Sequence, residues 1–105
     1  MQKDRRLLPD ISDYFEALFL VAESKWYPAA EALNKLRPRM SAFGKDMAMQ
    51  IDFYLALCYE RLGRPELAKQ YYDLIVEQSP DNEPAKAGSL RMAAQLGSDN
   101  NKKSS

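Results

Sequence analysis

The chain has 105 residues, a length that fits a single domain, and it carries 15 basic and 15 acidic side chains, so its formal net charge is zero. Because the charges balance, the protein has no general attraction to nucleic acid or to an anionic membrane surface, and neither is expected as a partner. With one cysteine, Cys58, and no histidine, the sequence allows no internal disulfide and lacks the usual base for a catalytic thiol. We therefore expect Cys58 to be a small buried residue.

The N-terminal sequence MQKDRRLLPD has charges but no long apolar segment behind them, so it does not have the form of a signal peptide. The longest strongly apolar run, residues 17–22, is far shorter than the roughly 20 residues that a membrane-spanning helix needs. We therefore expect a cytoplasmic protein that does not insert into membranes, unless the chain is a fragment of a larger protein.

Prolines divide the chain into helix-length segments, because proline breaks helix interiors but suits a first turn or the position after a helix end. No stretch alternates cleanly between apolar and polar residues, and β-branched residues are few, so no strand is predicted. The sequence therefore predicts an all-α fold. The six prolines stand at positions 9, 28, 38, 65, 80 and 84.

The first predicted helix, residues 11–23, has apolar residues at three- and four-residue spacing, and Asp10 or Ser12 can cap its first amides. The second, residues 26–36, has Pro28 in its first turn and places its apolar residues on one face. These two segments predict a pair of helices joined by a short turn.

After a less regular stretch, residues 37–44, the third predicted helix covers residues 45–62. It is apolar on nearly all sides, so neighbours must cover it on more than one side. Gly63 is expected to end it, because glycine accepts the left-handed conformation at a helix end.

The fourth predicted helix, residues 65–78, begins at Pro65 and is followed by Pro80. The fifth, residues 83–96, is expected to end at Gly97. The sequence thus predicts five helices.

The predicted organisation has three parts. Residues 1–9 form a flexible N-terminal arm, residues 10–97 a helical domain, and residues 98–105 a polar tail without any apolar residue. Such a composition predicts a disordered tail.

Small and large residues recur at fixed offsets through residues 55–80. Ala56 and Ala68 are small enough for two helices to approach, and Tyr59 and Tyr72 fill the space between that pair and its neighbours. The pattern resembles a tetratricopeptide repeat, a helix-turn-helix unit of about 34 residues that buries its faces by stacking on further units. Seven positions agree in one register: Leu55, Ala56, Tyr59, Gly63, Ala68, Tyr72 and Pro80.

The chain departs from the family pattern at Asp52, where the family usually has a large apolar residue, and we expect Phe53 beside it to compensate in part. Weaker copies of the pattern flank the central unit. The offset between the upstream copy and the central unit is four residues longer than the family period. This difference predicts extra residues near positions 40–46. The resemblance therefore implies two units and a closing helix. The matched residues are Leu90, Ala93 and Gly97 downstream, and upstream Ala17, Leu18, Val21 and Ala30, which correspond to Leu55, Ala56, Tyr59 and Ala68.

The resemblance implies a curved array whose first helices line a concave groove. Where one subgroup of the family grips C-terminal carboxylates with Lys, Asn and Arg, this chain has Phe15, Phe19, Pro84 and Gly88, so that clamp is not expected. The residues carried over to the groove are Phe15, Phe19 and Glu23 in the first unit, Gln50, Phe53, Leu57, Glu60 and Arg61 in the second, and Arg91 and Gln95 in the closing helix.

Several apolar residues have two interpretations. Phe15, Phe19 and Phe53 either line the groove or pack against the chain's own helices. Trp26 and Tyr27 either mark a contact site or pack on the first helix. A third set, Met40, Met47 and Met49, fits a core near the loop better than an adaptable binding surface.

The predicted function is a non-catalytic interaction module, adaptor-like or chaperone-like, that binds a peptide segment or helix of a partner protein in an apolar groove. The alternative is a structural role, in which the chain self-associates or forms part of a longer repeat scaffold through its ends. An enzyme is not expected, since the sequence has no phosphate-binding loop or metal-spaced cluster and carboxylates such as Asp52 and Glu60 lie among solvated charges. No cofactor or metal is expected.

Overall fold

The computed structural model describes the backbone of residues 2–104 and the side chains of residues 11–40 and 42–97. In this part of the chain the fold is all-helical without strands, as predicted. Five α-helices and one short 3-10 helix follow one another: α1 (Gln2–Ala22), α2 (Trp26–Met40), the 3-10 helix (Ser41–Phe43), α3 (Lys45–Arg61), α4 (Pro65–Gln78) and α5 (Glu83–Ser104).

The two terminal helices are longer than predicted. The start expected at Ile11 and the end expected at Leu96 are wrong, because α1 begins at Gln2 and α5 continues to Ser104. Gly97 does not take the positive φ that ends a helix, and a helical glycine costs only about 1 kcal/mol, too little to end a helix by itself. The division into a flexible arm, a domain and a disordered tail stays a prediction.

Helix α2 also continues beyond its predicted end. Pro38 lies inside it, although proline usually marks a helix boundary. The helix persists because Leu33, Leu36 and Met40 keep helical spacing and are all buried. Met40 therefore belongs to the core, as its sequence position favoured.

The turns after α1 and α3 have the same geometry. Gly63 has φ 74° and Ser24 has φ 61°, both in the left-handed region. The amide of Arg64 donates to the Tyr59 carbonyl at 2.8 Å, and the amide of Lys25 donates to the Leu20 carbonyl at 2.9 Å. Both turns therefore close their helix with the same kind of backbone bond, a common way to satisfy the last carbonyls.

The pairs α1–α2 and α3–α4 repeat each other in the register that places Ser24 opposite Gly63. In this register Ala17 corresponds to Ala56, whereas the sequence comparison paired Ala17 with Leu55. The upstream residues matched above therefore shift by one position. Buried residues coincide in the corrected register. They are Ala17 with Ala56, Ala29 with Ala68, Leu33 with Tyr72, and Leu36 with Ile75.

Each helix packs against the next one in the chain, and the core has two parts. One part joins α1, α2 and α3, and the other joins α3, α4 and α5. Helix α3 contributes Leu55 and Cys58 to the first part and Ala56 to the second, so it is covered on two sides as predicted. Cys58 is buried, and burial raises the pKa of its thiol to about 11.

Asp52 is the only charged residue buried within the described part of the chain. Its two carboxylate oxygens accept hydrogen bonds from Nε and Nη2 of Arg37, at 2.5 and 3.1 Å. These bonds raise the pKa of the Arg37 guanidinium. Arg37 of α2 therefore makes a buried carboxylate tolerable here, while Phe53 beside Asp52 supplies an apolar side chain that packs on the α3–α4–α5 core.

Candidate functional site

Helix α3 forms one wall of an open cleft of about 580 Å³. The other wall is the start of α5 and the turn before it. Helices α3 and α5 point in the same direction because α4 runs back between them, so the cleft lies between their N-terminal halves. Its lining residues are Asp46, Met49, Gln50, Phe53, Tyr54, Asn82 and Pro84.

Phe53 both lines the cleft and packs against the chain's own helices, the two interpretations that the sequence left open. Its half-buried ring lines the cleft and also meets the rings of Tyr54 and Tyr72 edge-on, at centroid distances of 6.0 and 6.1 Å. Such edge contacts favour a fixed ring position. Phe53 is therefore a preorganised apolar surface rather than a mobile side chain.

Gln50 connects the cleft to α1. Its Oε1 accepts a hydrogen bond from the Tyr14 hydroxyl at 2.8 Å. The Tyr14 ring is buried and lies 6.0 Å from the ring of Phe15 in a tilted arrangement. Burial, and then the nearby Tyr54, raise the pKa of Tyr14, so its hydroxyl keeps the proton that it donates.

Glu60 lies at the other end of α3 from the cleft and joins three helices. It accepts a hydrogen bond from Tyr72 of α4 at 2.8 Å and two from Arg91 of α5, at 3.0 and 3.2 Å. Burial by itself raises the pKa of Glu60, but the hydrogen bonds from Arg91 and Tyr72 and the charges of Arg91 and Arg61 outweigh it and lower the pKa. Glu60 and Arg91 are therefore engaged with each other.

Leu57 is half-buried on α3, between the positions of Phe53 and Glu60. Arg61 is exposed, and its guanidinium lies 5.8 Å from the centre of the Trp26 ring, at a distance typical of a cation–π contact. Trp26 is half-buried and packs on the core, whereas Tyr27 beside it is 65% exposed.

Phe15 and Phe19 lie outside the cleft lining, and each is 63% exposed on α1. The physical reason is the corrected repeat register, in which the first-unit positions equivalent to Phe53 and Leu57 are Tyr14 and Leu18. The groove positions expected in the first unit, Glu23 included, are therefore displaced by one position. Glu23 and Gln95 are accessible to solvent, and Glu23 pairs with Lys25 at 3.5 Å.

Sequence reasoning missed five of the residues that line the cleft. The α3 residues among them follow from helical periodicity, because Asp46 and Met49 lie seven and four positions before Phe53 and Tyr54 lies four positions after Gln50. The α5 wall had no such signal, since it depends on how α4 places α5. Met49, favoured as core, is half-buried and lines the cleft. The missed residues are Asp46, Met49, Tyr54, Asn82 and Pro84.

Among the residues that the structure describes, no helix combines the length and the apolar composition needed to cross a membrane. Comparison with protein-family models finds no matching family, and comparisons with curated proteins and with solved structures likewise find no match.

Proposed function

We propose that the chain is a non-catalytic protein-interaction module, adaptor-like or chaperone-like, that binds a peptide segment or helix of a partner. The observation that carries this function is the open cleft of about 580 Å³, with the fixed ring of Phe53 on its wall. Concave sites that combine apolar side chains with a few polar groups are the usual place for ligands.

The internal repeat supports a solenoid of the tetratricopeptide type. Two helix pairs share a turn geometry and a burial pattern, and α5 follows as a further first helix. In such an array the first helices α1, α3 and α5 would form the concave face. The exposed ring of Phe15, which corresponds to the cleft residue Tyr54 in the corrected register, would then extend the apolar surface toward α1.

The two carboxylates considered for catalysis are both engaged by other side chains of the protein. Asp52 is bound by Arg37, and Glu60 by Arg91 and Tyr72. Carboxylates held in this way are poor general bases, since their lone pairs are already engaged. We place the module in the cytoplasm, where an unpaired thiol such as that of Cys58 stays reduced.

The test is a pull-down from source-cell lysate with native protein, Phe53→Glu and Leu74→Glu, read by mass spectrometry. Leu74 is a matched control because it is 36% exposed on α4, away from the cleft. We expect a protein captured by the native and Leu74→Glu forms and lost with Phe53→Glu. Circular dichroism must show that both variants are helical. A partner retained equally by all three forms would contradict a site at the cleft.

The second candidate function is assembly through an end of the array, as a self-associating subunit or a segment of a longer scaffold. At the family period of about 34 residues, Ala56 of α3 corresponds to Leu90 of α5. Ala56 is covered within the α3–α4–α5 core, whereas Leu90 is 71% exposed because no helix follows α5 in the described chain. The face of α5 that carries Leu90 is therefore exposed, although the corresponding face of α3 is covered.

The α1 end differs from the α5 end. In the register that places Ser24 opposite Gly63, the α3 residues Ile51 and Leu55, which belong to the core shared with α2, correspond to Ser12 and Glu16 of α1. Cys58 of the same core corresponds to Phe19, which is 63% exposed, so this end presents polar residues beside one exposed ring and is a polar cap only in part.

Light scattering should therefore show concentration-dependent association through the α5 end, and Leu90→Glu should abolish it. A monomer at high concentration would exclude self-association.

A further inference from the structure

The cleft between α3 and α5 carries a single charge on its wall. Asp46 in the first turn of α3 is exposed and forms no ion pair with any described residue, and the lining contains no Lys or Arg. Asp81, exposed one residue before Asn82, likewise has no ion pair in the described part of the chain. The lining itself is therefore acidic, whereas the nearby cations Lys45 and Lys86 lie outside it, and Lys86 is paired with Glu83 at 3.5 Å.

Two primary amides line the same cleft, one on each wall. Oε1 of Gln50 accepts from the Tyr14 hydroxyl at 2.8 Å, and Oδ1 of Asn82 accepts from the Ala85 amide at 3.1 Å. The NH2 groups of both side chains have no protein partner among the described residues. Each oxygen already accepts one bond from the protein, whereas the NH2 donors are open to water and can donate to acceptors such as peptide carbonyls.

The apolar part of the wall comes from Met49, Phe53 and Tyr54. The Phe53 ring is fixed by its edge contacts, whereas methionine adapts its shape to different apolar partners. This combination suits one aliphatic or aromatic side chain without demanding a particular one.

We propose that the cleft binds an extended peptide segment that carries a Lys or Arg next to an apolar anchor residue. The anchor contacts Met49 and Phe53, the amides of Gln50 and Asn82 donate to backbone carbonyls, and the basic side chain pairs with Asp46. This ligand class presupposes the peptide-binding function proposed above. A terminal carboxylate is disfavoured, because the amide NH2 groups could donate to it but Asp46 would repel it and the cleft lining holds no cation to compensate.

The test is a selection from an unbiased peptide-display library, followed by fluorescence anisotropy with synthetic amidated peptides. We expect enriched peptides to pair a basic with an apolar residue and to lose affinity with Phe53→Glu. Replacing their basic residue with Glu should weaken binding roughly tenfold, and added salt should weaken binding of the basic form.

Asp46→Lys should reverse that charge preference, so that the Glu-containing peptide binds more tightly than the basic one. Glu66→Lys is the matched control, because Glu66 is also an exposed acid in the first turn of a helix but lies outside the cleft. Glu66→Lys should leave the preference unchanged, and circular dichroism should show both variants to be helical.

The outcomes separate the ligand class from the function. Enrichment of acidic or carboxylate-terminated peptides that still depends on Phe53 would overturn the basic peptide class and leave the peptide-binding function standing. Enrichment of basic peptides that Asp46→Lys does not affect would also overturn it. Failure to enrich any peptide above the Phe53→Glu background would overturn peptide binding itself.

Discussion

At the scale of single residues, the contact between Gly88 and Tyr72 sets how closely α4 and α5 approach. A Cβ atom at Gly88 would lie 2.5 Å from Cζ of Tyr72 and 2.6 Å from its two Cε atoms. The Tyr72 ring is buried and held by the Phe53 ring and by the hydrogen bond to Glu60, so it has no room to move away. Only glycine fits this helix crossing.

We therefore expect Gly88→Ala to lower the free energy of unfolding by roughly 1–3 kcal/mol, although alanine is the better helix former. Gly97→Ala in the same helix is the control, because a Cβ there meets nothing within 4 Å. It should raise stability by up to about 1 kcal/mol. Urea unfolding of the three proteins measures both effects, and equal stability of Gly88→Ala and native protein would contradict the close approach.

The buried pair of Asp52 and Arg37 predicts unequal effects of its two partners. The Asp52 side chain is 2% exposed and that of Arg37 is 35% exposed. Arg37→Met should lower stability by about 3–5 kcal/mol, because it leaves a buried carboxylate unpaired. Asp52→Leu should cost much less, since Arg37 can reach water and leucine supplies the apolar residue typical of the resembled family.

Thermal and urea unfolding of the two single variants and the double variant would test this asymmetry. The double variant should recover most of the stability lost in Arg37→Met, because it removes the unpaired charge. Equal losses for both single variants would show instead that the pair contributes symmetrically.

At the scale of the elements, two carboxylates fasten α5 to the helices before it. Glu60 of α3 binds Arg91, and Asp73 of α4 accepts a hydrogen bond from Ser89 at 2.5 Å and one from Lys69 at 2.8 Å. Burial alone raises the pKa of Asp73, but the hydrogen bonds from Lys69 and Ser89 outweigh burial and lower the pKa. The hydrogen bonds to Glu60 lower the pKa of Glu60 in the same way. The ionised forms are thus the ones that hold α5.

Acid should therefore weaken the docking of α5. Because the folded pKa values lie below the ordinary values of 4.5 for Glu60 and 3.8 for Asp73, the unfolded chain binds more protons in acid. The stabilisation is complete above those ordinary values and is lost as pH falls through the lower folded values. Urea unfolding across this range should show the loss, and it should be smaller in Glu60→Gln. An unchanged pH profile in that variant would contradict the assignment.

At the scale of the whole molecule, the core is divided into two clusters that share α3. Damage in one cluster should reach the other through α3 and through Tyr71 of α4, which packs on both clusters and donates a hydrogen bond to Asn34 of α2 at 3.4 Å. Leu33 belongs to the α1–α2–α3 cluster, and Met92 to the α3–α4–α5 cluster. The two ends of the molecule should therefore differ in how they respond to core substitutions.

We expect Met92→Ala to lower stability by about 2–5 kcal/mol and to reduce hydrogen-exchange protection in α4 and α5 more than in α1 and α2. Leu33→Ala is the matched variant, with the opposite distribution. Native-state hydrogen exchange resolves the helices individually. A uniform loss of protection in both variants would show that the five helices unfold as one cooperative unit.

The sequence by itself determined the helices and most of the turns between them, because these depend on local backbone chemistry. Gly63 ends α3 through a conformation that glycine adopts without strain, and Pro65 begins α4 in a first turn that needs no amide donor. Apolar spacing within each segment then predicted the all-α class. The helix ends predicted near Pro38 and Gly97 were wrong. Near Pro38, the burial of the apolar residues outweighed the local effect of proline, and Gly97 does not adopt the left-handed conformation that ends a helix.

Only the tertiary structure decided the rest, because it depends on contacts between residues far apart in the chain. The partner of Asp52 is a residue of another helix, and the need for glycine at position 88 comes from the Tyr72 ring on α4. The first-unit register follows from the shared turn geometry at Ser24 and Gly63, which a serine does not signal in the sequence. The cleft requires α4 to bring the start of α5 beside Phe53, and no local pattern in the sequence encodes that placement.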